Sequence, residues 1–74
     1  MKYTTIDGYS VEGETYQEIV HKMRQDSKAE ADTRKGFMLM ISKRAYAYNE
    51  SSVRISSDEY FIQDLVKGEF LLES

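Results

Sequence analysis

The chain has 74 residues, ten basic and thirteen acidic, for a net charge of −3, with one histidine and neither cysteine nor proline. That length allows a single domain, spanning 1–74, with a thin core. The missing cysteines exclude disulfides and thiolate metal clusters, and the lone His21 excludes histidine-rich metal sites, so no metal and no cofactor is expected. The charge is unevenly spread. Between Lys22 and Arg44 stand seven bases and three acids, about +4, which leaves about −7 for the remainder. The opening residues lack the apolar run of a signal peptide, and the longest apolar run, Phe37 to Ile41, is far too short for a membrane span. A cytoplasmic protein with no membrane contact is expected.

Lys2 to Glu12 reads as a β-hairpin, because Asp7-Gly8 between β-prone runs suits a two-residue turn with positive φ. That loop sets Ile6 against Tyr9 and Thr4 against Val11 as the inner face, and turns Tyr3, Thr5, Ser10 and Glu12 outward. Gly13 then breaks the strand. Thr15 and Glu18 form a capping box for a first helix, whose stripe is Tyr16, Ile19, Val20 and Met23 and which fades near Asp26-Ser27. A polar link, Lys28 to Asp32, leads to a second helix from Thr33 to Tyr48, with Asn49 as a left-handed C-cap.

The second helix breaks the simple amphipathic pattern. Phe37, Ile41, Ala45 and Tyr48 make one stripe with Met38 beside it, while Leu39 and Tyr46 lie on nearly the opposite side. A helix apolar almost all round is either central or covered by something else. Single exposed apolar residues are common; the sharper reading is a homodimer seam or a partner patch.

Ser51 to Ile55 reads as a short strand with Val53 and Ile55 on one face. Ser56 and Glu59 open a third helix, buried through Phe61, Ile62, Leu65 and Val66. Gly68 sits where a C′ residue belongs, and Phe70-Leu71-Leu72 supplies the last strand. The expected fold is α+β, a small sheet of three or four strands packed on three helices in the order ββααβαβ.

No catalytic constellation emerges. His21 lies off the apolar stripe beside Lys22 and Arg24, where a solvated imidazole lacks an orienting partner. No Gly-x-Ser-x-Gly elbow is present, the glycines are too scattered to cradle a phosphate, and Asp58 and Glu59 are explained by the helix dipole. A non-enzyme is expected.

Two surfaces remain as contact candidates. One is the acidic hairpin edge of Asp7, Glu12, Glu14 and Glu18 with outward Tyr3, suited to a basic protein surface, with Leu39 and Tyr46 as its apolar counterparts. Its plain alternative is a solvated strand edge whose charges resist pairing. The other is the basic set Lys22, Arg24, Lys28, Arg34, Lys35, Lys43 and Arg44. With Tyr46 nearby it would serve a dimeric nucleic-acid-binding regulator, although the overall acidity counts against that. Tyr60, opposite Phe61 and Leu65, should be exposed.

Two segments, Gly13 to Ser27 and Val53 to Val66 with the closing Gly68, resemble helices of small accessory proteins carried by phages and mobile elements. They cover under half of the chain, and their pattern is mostly caps and core positions. The resemblance implies a phage or mobile-element protein, anti-CRISPR type, that inhibits a host defence complex such as a CRISPR effector by stoichiometric binding. No anti-CRISPR motif is matched residue by residue, so no functional residue carries over.

Overall fold

The structure, a computed structural model, describes residues 1–6, 8, 10–26 and 33–73. Among these residues the order is β1 (Lys2–Thr5), β2 (Ser10–Glu12), α1 (Tyr16–Asp26), α2 (Arg34–Asn49), α3 (Asp58–Lys67) and β3 (Leu71–Glu73). The class is α+β, with three helices and a three-stranded antiparallel sheet ordered β2-β1-β3.

The hairpin forms where the sequence puts it, and β2 buries Val11 as expected, but β1 turns its opposite face inward. Lys2 pairs with Glu12, Tyr3 with Val11 and Thr4 with Ser10, one residue away from the register a two-residue turn requires. The Gly8 N–H donates to the Thr5 carbonyl at 3.0 Å and Gly8 holds φ at +93°, so the chain turns through a longer loop. Side chains alternate with period two, so that single step reverses β1. Tyr3, Thr5 and Val11 are buried, whereas Ile6 is exposed and Thr4 half-buried. Tyr9, the expected fourth member of the inner face, lies outside the described residues.

Capping explains the helix starts. Thr15 Oγ1 accepts from the Glu18 N–H at 3.1 Å, and the Glu18 carboxylate reaches back to the Glu14 N–H at 2.8 Å. Ile19, Val20 and Met23 are fully buried, with Tyr16 at the margin. Thr33 caps α2 by accepting from the Gly36 N–H. The α2 C-cap is Glu50 at φ 52°, its N–H donating to the Tyr46 carbonyl, and not Asn49. Asn49 remains helical and its side-chain amide donates to the Gly68 carbonyl at 3.0 Å. Tyr48, expected on the buried stripe, is exposed in the last turn, where only its ring meets Phe70 edge-on at 6.1 Å.

Ser51 to Ile55 is not a strand. The Arg54 N–H donates to the Asp64 carboxylate, not to a neighbouring strand. Val53 and Ile55 pack half-buried on the core, so an irregular link with one buried side imitates strand alternation. Among the described residues the order is therefore ββαααβ, and β3 pairs antiparallel with β1.

The third helix starts one residue later than expected. Ser57, not Ser56, is the N-cap, accepting from the Tyr60 N–H at 3.1 Å. At its other end Gly68 is the C-cap at φ −84°, and the left-handed position belongs to Glu69 at φ 62°. Glu69 N–H to Val66 carbonyl and Phe70 N–H to Leu65 carbonyl complete a Schellman motif. Gly68 is required for space: an added Cβ would lie 2.7 Å from the Ser51 Cβ. With Phe70 recruited to the cap, β3 begins at Leu71.

The core joins Tyr3, Val11 and Leu71 of the sheet to Ile19, Val20 and Met23 of α1. Phe37, Met38, Ile41 and Ala45 of α2 and Phe61, Ile62 and Leu65 of α3 complete it, with Val66 at its margin. Within it α1 packs on β2 and α3 on β3, so these two helices line one face of the sheet, while α2 packs on α1.

Candidate protein-contact surfaces

The other face of the sheet carries the residues that alternate with the buried ones: Lys2 and Thr4 of β1, Ser10 and Glu12 of β2, and Leu72 of β3. Leu72 stands opposite Thr4, and Thr4 Oγ1 lies 3.5 Å from Ser10 Oγ, so the three make one row across the sheet. Leu72 is 54% exposed. Exposed Glu12, Glu14, Glu69 and Glu73 stand on or beside the strands, and Lys2, opposite Glu12, is the one base on the three strands.

Tyr3 does not belong to this surface. Only 4% of it is exposed, and burial foremost, with Tyr16 and Glu73 adding, raises its phenol above the ordinary value. The expected acid-and-tyrosine edge therefore loses its tyrosine. Glu12 and Glu14 are exposed, Glu18 is exposed but committed to the cap, and Asp7 lies outside the described residues. Exposed Leu72 is not among the expected contact candidates. Its signal was present: Leu71 and Leu72 are consecutive, and successive strand residues point to opposite faces.

The outer face of α2 is the second surface. Leu39 is 44% and Tyr46 59% exposed, as their helical position requires. Lys35 and Lys43 share that side of the helix.

The basic set does not assemble into one grip. Lys22 Nζ is held by the Glu12 carbonyl, and Arg34 is paired with Asp58. Arg24 is half-buried, Lys35, Lys43 and Arg44 are exposed on α2, and Lys28 lies outside the described residues. Arg44 lies about 100° round the helix from Lys43. His21 is exposed in a shallow groove with Thr15, Glu18, Lys22 and Arg34.

An open cleft between the first turns of α2 and α3 is lined by Arg34, Lys35, Met38, Arg54 and the segment Ile55 to Asp58. Its cations are largely spoken for. Arg54 forks onto Asp64, Nε to Oδ2 at 2.9 Å and Nη2 to Oδ1 at 3.0 Å, with its guanidinium 4.0 Å from the centre of the Tyr60 ring. Tyr60 is 44% exposed, as expected. The Arg54 hydrogen bond is the leading cause that lowers the Asp64 carboxyl below its ordinary value, and it raises Arg54 in turn. This cluster fastens the 51–55 link to α3.

Among the described residues, no group of three or more His, Asp or Glu side chains is placed to hold a metal ion, and no helix is long and apolar enough to cross a membrane. Comparison with protein-family models, with curated proteins and with solved structures found no match.

Proposed function

We propose that this chain is a non-catalytic binding protein that inhibits a larger protein assembly by occupying one of its functional surfaces. The observation that carries the reading is the outer sheet face, where exposed Leu72 lies in a row with Thr4 and Ser10 and exposed Glu12 shares that face. A leucine on a flat polar face gives a partner apolar area, and the acid steers a basic surface toward it. A host defence complex is the proposed target, and CRISPR effectors, the class that the expected resemblance implies, are the first to test. Such effectors hold their guide–target duplex in a positively charged channel, to which an acidic face is complementary. The nucleic-acid reading has less support, because Lys22 and Arg34 are engaged within the protein.

Paired charge reversals separate the two. Glu12→Lys with Glu14→Lys should weaken capture of the protein partner by at least about tenfold. Lys43→Glu with Arg44→Glu should leave capture unchanged. The opposite pattern, with affinity falling linearly in log salt, would transfer the function to phosphate binding by the basic segment.

A further inference from the structure

We infer that the outer edge of β2 is a strand-docking edge, that its occupant is β2 of a second copy, and that Lys22 holds it closed. The direction of each backbone group follows from the first rung of the hairpin. The Met1 ammonium donates to the Gly13 carbonyl at 2.8 Å and the Gly13 N–H to the Met1 carbonyl at 3.0 Å, so these two residues exchange both bonds. Bonded and unbonded pairs alternate along an antiparallel ladder. Tyr3 and Val11 are therefore the next bonded pair, and Ser10 and Glu12 turn their N–H and C=O groups away from β1. Among the described residues no strand lies beyond β2, and Ser10 and Glu12 are both exposed. The lock stands on that edge: the Lys22 ammonium, reaching over from α1, donates to the outward Glu12 carbonyl. A lysine so placed blunts an edge that otherwise takes another strand.

The edge fits its own copy. A two-fold axis at Val11 sets Ser10 against the partner's Glu12 and Glu12 against the partner's Ser10, the residues of β2 whose backbone groups point outward. Each of these pairs exchanges both of its bonds. Val11 meets the partner's Val11 on the covered face, and the Ser10 hydroxyl comes beside the partner's carboxylate on the outer face. Directly opposed glutamates, which repel, do not arise in this register. Each Lys22 occupies a carbonyl that the register needs, so it must let go before the strands pair. The far edge of the sheet does not offer the same site. There Thr4 and Leu72 are the bonded pair, and Leu71, whose groups point outward, is fully buried. Docking along β2 leaves Leu72 and the outer sheet face uncovered, so it does not rest on the sheet-face reading.

Sedimentation over a concentration series tests the lock, with helix content followed by circular dichroism, and amide hydrogen exchange tests the edge. Lys22→Met keeps the stem and removes the donor. Its passage from the 8.6 kDa monomer to twice that mass should have a midpoint at least about tenfold lower in concentration than the wild type, since two charged donors no longer compete with the strand. Lys22→Arg, which keeps a donor for the carbonyl, should stay with the wild type. In the Lys22→Met dimer the Ser10 and Glu12 amides should exchange slowly, and in the wild-type monomer fast. Adding Ser10→Pro should return that variant to a folded monomer, because it deletes an outward N–H and leaves the β1 ladder intact. A Lys22→Met midpoint equal to that of the wild type, or a dimer whose Ser10 and Glu12 amides still exchange fast, would overturn the proposal. Failure here would leave the sheet-face reading standing, and the reverse holds too.

Discussion

Glu50 and Glu69 hold left-handed backbone at φ 52° and 62°, a conformation that costs a side-chain-bearing residue about 1 kcal/mol. Glu69 sits at the C′ position of the α3 Schellman motif, where glycine is the usual occupant. Glu69→Gly should therefore raise stability by about 0.5–1 kcal/mol, seen as a higher urea midpoint with an unchanged slope. Gly68→Ala should do the reverse, by about 1–3 kcal/mol, because its methyl meets the Ser51 side chain. Equal effects at both positions would contradict the cap geometry. The sequence alone points to Gly68 as the left-handed residue, since glycine is what that position prefers. It gives no sign that the 51–55 link passes close enough to demand glycine for space instead.

At the scale of elements, capping boxes and apolar stripes made the helices legible to within a residue or so. Thr15 and Thr33 lie where their hydrogen bonds require, and Ile19, Val20, Phe61 and Leu65 face inward as their spacing demands. Ser56 and Ser57 offered two starts for α3, and the Tyr60 N–H took the second. The 51–55 segment was misread because burial of Val53 and Ile55 gives the same alternation as a strand. What distinguishes it is Asp64, far along the chain, whose carboxylate takes the Arg54 backbone N–H.

That pair has a pH signature. The Asp64 carboxyl is lowered from its ordinary 3.8, so its ionised form is favoured by folding. The contribution is fully present above the unfolded value and is lost as pH falls through the lowered folded one. Asp64→Asn should melt below the wild type at neutral pH, and the gap should close as acid protonates Asp64. A gap that stays constant from neutral to acid pH would show that the strap owes nothing to the charge.

For the molecule as a whole, composition and patterning disclosed an α+β domain with three helices, but not which side of its sheet is covered. That choice turned on the loop between Thr5 and Ser10, where one residue of register moves Tyr3 from the surface into the core. The exposed face changed with it: Tyr3 is buried and Leu72 is exposed. Leu39 and Tyr46 were legible as exposed because α2 is long enough for its turn to be counted from either end. The resulting molecule is polarised, with acids around the sheet and an outer α2 face that carries Lys35 and Lys43.

The most direct test of binding through the sheet face is a tagged pull-down from lysate containing CRISPR effector complexes, with and without nuclease, using wild type and Leu72→Lys side by side. The account predicts that wild type retains an effector subunit at fixed stoichiometry after nuclease treatment, and that Leu72→Lys, folded by circular dichroism, loses it. Capture that disappears with nuclease, or that survives Leu72→Lys unchanged, would contradict it.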